Sequence, residues 1–541
     1  MNFHSSFHQR IIAPCFVLSA LLLCSALPAL AFDDYPRNAA VNALHYRLSV
    51  TITDHSDEIQ ATTEILFEFN RDGVNEIALD LAGLTVDQVT AENGAAKFNH
   101  ANGKLVVALT GSYKSGDHCR VAIKYHGHPT DGLYIQKNKF GDRSIFADNW
   151  PNRAHYWFPS IDHPYDKATA EFLVIAPDRY DVIANGRLVE TRSLQNGTKL
   201  THWSEATPIA TYCMVIGATE FDIVNLGEVK TPGDEISLAY YLFPKDHDTG
   251  VKGYGRAAQM LEFFTNLIGP YPYEKLALVQ SSTRFGGMEN ASSIFFAENA
   301  FGEGVVSHEI AHQWFGDSVT ENDWHHLWLS EGFATYFGHL FFEKFDGREK
   351  FVKLMLDDKE SYLRADSKDA RPIYDPAITD LFKLLNANNY QKGGWVLHML
   401  RHIMGDEKFF AGIRDYYRTY RDRNALTDDL RKVMEAQYGQ SLEWFFRQWI
   451  FEAGHPVYDA AWKWHEGAKE LRLHVTQKQE KTVFRMPLDV EIKSGSTSRR
   501  EIIQMSERQQ QFTFHLAAQP QSIALDPDEW VLKVLTLREE R

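Results

Sequence analysis

The sequence predicts a multidomain α+β protein: an N-terminal antiparallel β saddle or sandwich, a mostly helical middle and a C-terminal β-sandwich. Three observations predict it. Apolar residues alternate with polar ones from Phe32 to about Asp222, which is the period of half-buried strands. From about Ile223 to Glu452 the spacing turns helical. After Gly454-His455-Pro456 the alternation returns. The expected boundaries are 1–31, 32–222, 223–452 and 453–541, and a length of 541 residues suits roughly three or four units.

Residues 1–31 read as an export signal. Arg10 supplies the positive start, Ile11 to Leu27 is mostly apolar, and Ala29-Leu30-Ala31 is a small-x-small cleavage site. The expected location is therefore exported, periplasmic or secreted, with no stable membrane span once the signal is removed. Of the four cysteines, Cys15 and Cys24 would leave with the signal. Cys119 and Cys213 remain, and an exported chain allows either a disulfide or two free thiols.

In the first β region, Tyr46-Arg47-Leu48-Ser49-Val50-Thr51-Ile52 and Ile65-Leu66-Phe67-Glu68-Phe69 alternate cleanly, and Asn102-Gly103 and Asn185-Gly186 mark turns. In the middle, Leu261, Phe264 and Ile268 sit at helical spacing within Thr249 to Ile268, before the breaker Gly269-Pro270-Tyr271-Pro272. Thr427 reads as the N-cap of a helix carrying Leu430, Val433 and Met434 on one face. At the C-terminal end, Leu471-Arg472-Leu473-His474-Val475, Leu488-Asp489-Val490-Glu491-Ile492 and Phe512-Thr513-Phe514-His515-Leu516 read as strands.

Composition bounds the function. The chain is 44% hydrophobic and 24% charged, as an ordinary globular protein is. A net charge of −16 argues against nucleic acid as a partner.

One stretch carries chemistry: Val305-Val306-Ser307-His308-Glu309-Ile310-Ala311-His312-Gln313-Trp314. On a helix, His308 and His312 lie one above the other and can share one metal ion. Glu309 stands beside that ion, where a zinc hydrolase needs its general base. Glu331, in Trp328-Leu329-Ser330-Glu331-Gly332-Phe333-Ala334, offers a third ligand with eighteen residues between it and His312. Two His and one Glu leave a fourth position open, as a catalytic zinc site does. The segment is otherwise apolar, and two His and a Glu inside a buried helix need a partner, which a metal supplies.

These motifs resemble the gluzincins, and further stretches narrow the resemblance to the aminopeptidase N family with its leukotriene hydrolase-like relatives. Gly286-Gly287-Met288-Glu289-Asn290 is similar to the Gly-x-Met-Glu-Asn exopeptidase motif. Tyr390-Gln391-Lys392-Gly393 is similar to the Tyr-x-Lys-Gly segment that carries a catalytic tyrosine. Phe158-Pro159-Ser160-Ile161-Asp162-His163-Pro164 resembles a segment of the N-terminal domain, and Gln448-Trp449 through Gly454-His455-Pro456 the junction into a third, β-sandwich domain.

The resemblance implies a thermolysin-like catalytic domain with one Zn2+ per chain on His308, His312 and Glu331. The implied activity removes the N-terminal residue from peptides with a free N-terminus. Glu309 is the implied base, Tyr390 the oxyanion donor, and Gly286, Gly287, Met288, Glu289 and Asn290 the substrate-binding residues. Thr335, one helical turn beyond Glu331, is either a partner of that ligand or a plain helix-face threonine.

Two departures stand out. A Glu or Gln upstream of the Phe-Pro segment often helps bind the substrate amine, and Trp150 fills that slot here, with Asn149 and Asp148 as candidate stand-ins. The sequence also stops after the β-sandwich, without the large helical fourth domain of many members, which implies a more open cleft. Two other readings of the same residues, a different hydrolase and a non-catalytic scaffold, differ in what they expect of blocked N-termini and of chelators.

Overall fold

The computed structural model of the chain describes residues 33–92 and 94–540. The expected export signal, residues 1–31, lies outside the described residues.

An eight-stranded sheet spans the N-terminal region, in the order Arg187–Ser193, Thr198–Ala210, Lys167–Pro177, Val41–Thr51, Ile59–Phe69, His118–Gly127, Thr85–Ala91 and Gly94–Ala95. The alternating residues face as their period requires: Tyr46, Leu48, Val50, Ile65, Phe67 and Phe69 are all buried. The sheet is antiparallel except at its centre, where Val41–Thr51 runs parallel to Lys167–Pro177. A parallel pair needs a long crossover, and the intervening chain includes two strands of a four-stranded sheet, Leu133–Lys137 and Arg143–Ala147, and a separate three-stranded sheet. Cys119 and Cys213 are both buried free thiols, and the Cys213 thiol donates to Asp317 Oδ1 at 3.4 Å.

The middle region opens on a five-stranded mixed sheet: Asp222–Thr231, Asp234–Leu242, Lys275–Ser281, Ser293–Ala297 and the edge strand Gly287–Met288. Lys275–Ser281 is buried along its whole length and parallel to both neighbours, as a covered parallel strand should be. The segment expected as one helix up to Ile268 is two, α1 (His247–Gly253) and α2 (Ala257–Leu267). Gly253 ends α1 and Gly255 lies within the break, and glycine lowers the stability of a continuous helix there. Leu261, Phe264 and Ile268 are buried as their spacing requires.

The helices that follow include α3 (Glu303–His312), α4 (Trp328–Asp346), α5 (Arg348–Asp366) and α6 (Gly393–Met404), with a π-helical turn at Asn388–Lys392 leading into α6. Thr427 is not an N-cap. It is the first residue of helix Thr427–Tyr438, and the Asp429 carboxylate accepts from the Leu426 N–H instead. The Thr427 hydroxyl is committed elsewhere, accepting from Trp328 Nε1 at 2.8 Å and contacting His326 Nδ1 at 2.8 Å.

The C-terminal region is a β-sandwich of a four-stranded sheet (Gln509–His515, Glu470–Gln477, Val457–His465, Val534–Glu539) and a three-stranded sheet (Thr497–Met505, Met486–Ser494, Ser522–Leu525). Leu471, Leu473, Val475, Leu488, Val490 and Ile492 fill it. Among the described residues, no helix is long and apolar enough to cross a membrane.

Candidate metal centre

Helix α3 buries Val306, Ile310 and Ala311 on the core side, and this register turns His308 and His312 to one face. Helix α4 packs against α3 and brings Glu331, in its first turn, opposite them. His308 Nε2 and His312 Nε2 are 3.0 Å apart, and each is 3.2 Å from Glu331 Oε2. Three electron-pair donors converging like this need something positive between them. Ligands about 2.0–2.1 Å from a tetrahedral cation stand roughly 3.3–3.4 Å from one another, so the triangle fits one divalent ion. Two imidazoles and a carboxylate suit zinc.

The tautomer of His312 is set from behind. Its Nδ1 lies 3.1 Å from the Phe315 carbonyl, which can only accept, so Nδ1 carries a proton and Nε2 is the nitrogen turned to Glu331. Against its burial, Glu331 and Glu289 hold the imidazole well above its usual range, so without an ion Nε2 is protonated too, and a bound cation would take that proton's place. Ser330 Oγ lies 2.9 Å from the same nitrogen. Gly316 permits this arrangement: it sits at φ +121°, and a Cβ there would come 2.4 Å from Ser330 Oγ and 3.0 Å from His312 Nδ1. Thr335 is buried against Gly394, and the hydroxyl that hydrogen-bonds Glu331 is that of Tyr390 instead.

Glu309 lies beside the triad, 5% exposed. Burial, with Glu289 and Glu331 nearby, holds its carboxyl well above the ordinary range against the opposing charge of His312. Glu331 goes the other way: its burial is outweighed by His312 and by hydrogen bonds from both imidazoles, which hold it down at about 2. It is the anionic member of the set. A cation on the triad would add positive charge beside Glu309 and draw its carboxyl back down.

The loop before α3 approaches closely. A Cβ at Gly287 would stand 2.2 Å from Glu309 Oε1, so no other residue fits without moving that carboxylate. Gly287 and Met288 pair antiparallel with Phe296 and Phe295 at the open edge of the five-stranded sheet. Glu289 follows, 6% exposed, its carboxyl pushed up to about 7 by burial first and by Glu331, against His312. Gln313, next to His312, ties this loop to the metal helix. Its Nε2 donates to the Glu289 carbonyl at 2.6 Å and to Asp317 Oδ2 at 2.7 Å, while its Oε1 accepts from the Ser292 N–H at 2.8 Å and the Tyr271 hydroxyl at 3.1 Å.

Tyr390 enters from the π-helical turn. Its hydroxyl donates to Glu331 Oε1 at 2.7 Å and its ring lies parallel to that of His308 at 5.9 Å. Burial and the adjacent Glu331 hold the phenol far above its usual range, so it stays a donor. A glycine contact sets this meeting. A Cβ on Gly393 would lie 2.9 Å from Gly332 Cα, and one on Gly332 would lie 2.9 Å from Gly393 Cα. Only two glycines let α4 and α6 cross this closely, with Glu331 and Tyr390 on either side.

A cavity of about 280 Å³ opens over the triad. His308, His312, Glu331, Glu309 and Tyr390 line it, as do Gly286 through Glu289. Asn290, expected with them, does not: it is fully buried, and the chain turns inward through Ser292 at φ +62°. Trp150 does line the cavity, together with Phe285, Val305 and Leu385. Neither stand-in for the second amine site reaches it. Asn149 is consumed by the Thr211 and Met214 carbonyls and Trp157 Nε1, and Asp148 is fully buried on Arg153 at 2.5 Å. Gln313 and Ser330 were not singled out from sequence; a glutamine in an apolar helix that must satisfy its amide was the available signal for the first.

Residues 42–213 match the peptidase M1 N-terminal domain and residues 253–449 match the peptidase family M1 domain. The chain belongs to peptidase family M1. It is 29% identical over 448 residues to the Tricorn protease-interacting factor F2 of Thermoplasma acidophilum, covering 78% of this chain and 55% of that protein. It is 25% identical over 442 residues to a probable aminopeptidase 2 of Sulfurisphaera tokodaii, covering 77% and 55%. The chain thus spans about half the length of these curated M1 relatives. A crystal structure of an M1 zinc metallopeptidase from Deinococcus radiodurans superposes with a TM-score of 0.68 at 25% identity, over 76% of this chain and 93% of that one.

Proposed function

We propose that this chain is a zinc-dependent aminopeptidase, with His308, His312 and Glu331 holding the ion. The observation that carries the reading is the convergence of three donor atoms within about 3 Å of one another, with two further carboxylates, Glu309 and Glu289, in the same cavity. Bound zinc would supply Lewis-acid polarisation of a peptide carbonyl and acidify water at that place. Glu309 accepts the proton of the attacking water and returns it to the departing amine. The Tyr390 hydroxyl, kept protonated by its burial, hydrogen-bonds the carbonyl oxygen as negative charge develops on it. The backbone of Gly286 and Gly287, next to an open strand edge, aligns the extended substrate. Glu289 receives the substrate α-ammonium, and burial there makes that charge-assisted bond count.

The test is chelator-sensitive release of a fluorophore from single-residue amides. The reading expects turnover that metal restores and that N-acetylation of the substrate abolishes. Chelator-resistant turnover, or equal cleavage of acetylated substrates, would contradict it.

We further propose domain boundaries at 32–222, 223–452 and 453–541, and export by cleavage after Ala31, supported by Arg10, the apolar run and Ala29-Leu30-Ala31. N-terminal sequencing of the exported protein should begin at Phe32; a start at Met1 would refute the cleavage.

A further inference from the structure

The metal chemistry accounts for every ionisable side chain that lines the cavity. The lining side chains that remain are Trp150, Phe285, Met288, Val305 and Leu385, none of which carries a charge. We infer that they form the site for the substrate's first side chain, and that this site selects a large apolar residue such as Phe, Tyr, Leu or Met. The inference rests on the aminopeptidase reading and names its substrate class.

The wall is held in place before any substrate arrives. Trp150 is 2% exposed and lies edge-on to three rings: Trp324 at 5.6 Å, Phe382 at 5.7 Å and Phe285 at 6.3 Å. Trp324 is itself buried against Tyr212 at 5.5 Å. The Trp150 carbonyl accepts from Arg153 Nε at 2.8 Å, which pins the backbone. A rigid aromatic wall of this kind orders little on binding, so the apolar area it covers is retained as affinity.

The surrounding charges disfavour a cationic first residue. Arg284 lies over Phe285 at 5.1 Å and Phe382 at 4.9 Å, and Arg153 over Phe382 at 5.7 Å. Asp148, near Trp150 in the chain, is fully buried, with one carboxylate oxygen on Arg153 and the other 4.0 Å from Arg284. A lysine or arginine side chain would approach two guanidinium groups, one of them already over the lining ring of Phe285, and meet no carboxylate among the lining residues other than those assigned to the metal and the substrate amine. Gly and Ala would leave the wall unfilled, and each missing buried methylene weakens the interaction by roughly 4-fold.

A panel of Phe, Leu, Ala, Gly, Lys and Glu coumarin amides tests this on the full-length protein through kcat/KM. The expected result is Phe and Leu at least about 10-fold above Ala and Lys, the range hydrophobic pockets achieve. In Trp150→Ala and Leu385→Ala the Phe-to-Ala ratio should fall by about 10-fold. Phe382, 40% exposed, provides a variant that spares the core: Phe382→Ala should lower the same ratio by a few-fold with the thermal midpoint unchanged. Turnover that favours Ala or Lys, or variants that leave the ratio unmoved, overturns the inference while leaving the aminopeptidase reading standing. No turnover of any amide overturns that reading, and the inference with it.

Discussion

The two sides of the cavity are built differently. The metal side takes two ligands from one helix and the third from the helix packed on it, so local periodicity does most of the placing. The opposite wall takes Trp150 from the N-terminal region, Phe285 from a loop, and Phe382 and Leu385 from a segment far along the chain. The metal side has little freedom to vary: one added methyl at Gly287 meets Glu309, and one at Gly316 meets His312. The wall is a patchwork of apolar side chains from separate segments, with Trp150 buried at its centre and Phe382 half exposed at its margin. In the proposed reading, chemistry sits on the metal side and selectivity on the wall.

Mutations should separate the sides. The largest effect is expected at the base. Glu309→Ala should lower kcat by roughly 10²–10⁴-fold, the usual contribution of a positioned acid–base group, while the protein keeps its metal; single-turnover kinetics would measure it. Tyr390→Phe removes only a hydroxyl and should lower kcat by about 10²-fold with little change in KM. An unchanged kcat would leave Tyr390 with a packing role and require another oxyanion donor.

Glu289 stands between the two sides. With Trp150 in the second amine slot and Asn149 and Asp148 outside the cavity lining, the proposed reading gives it most of the substrate's charge to hold. Glu289→Ala should lower kcat/KM by about 10²-fold on a free-amine peptide, from a charged hydrogen bond worth roughly 1.5–3 kcal/mol together with misplacement of the peptide. The proportional loss on the acetylated peptide should be much smaller; equal losses would remove Glu289 as the amine anchor. The smallest effect on chemistry is expected at the helix crossing. Gly393→Ala forces a methyl to 2.9 Å from Gly332 Cα and should cost about 1–3 kcal/mol of stability, read as a lower Tm, with the metal retained.

The same contrast explains what was legible in the sequence. A four-residue spacing on an apolar helix places His308 and His312 without knowledge of the fold, and Glu309 follows from them. Glu331 and Tyr390 are non-local; the motifs around them mark them, and the Gly332–Gly393 contact is the physical reason those motifs contain glycine. Alternation identified buried strand residues such as Leu48, Phe67 and Leu473. It could not show that Val41–Thr51 lies parallel to Lys167–Pro177, since pairing across more than a hundred residues leaves no local period. Thr427 carried a capping composition, but its hydroxyl is taken by Trp328 and His326, a tertiary demand invisible to local rules. Asn290 shared a motif with lining residues and yet is fully buried outside the cavity lining, which a motif alone does not reveal. Ser330 and Gln313 escaped notice because their work is to hold other residues.

The central claim is that His308, His312 and Glu331 hold one zinc ion and Glu309 does not. Elemental analysis of the purified parent, Glu331→Ala and Glu309→Ala proteins tests it most directly. The account predicts about one zinc per chain in the parent and in Glu309→Ala, and a large loss in Glu331→Ala. Full zinc in Glu331→Ala, or loss in Glu309→Ala alone, would contradict it.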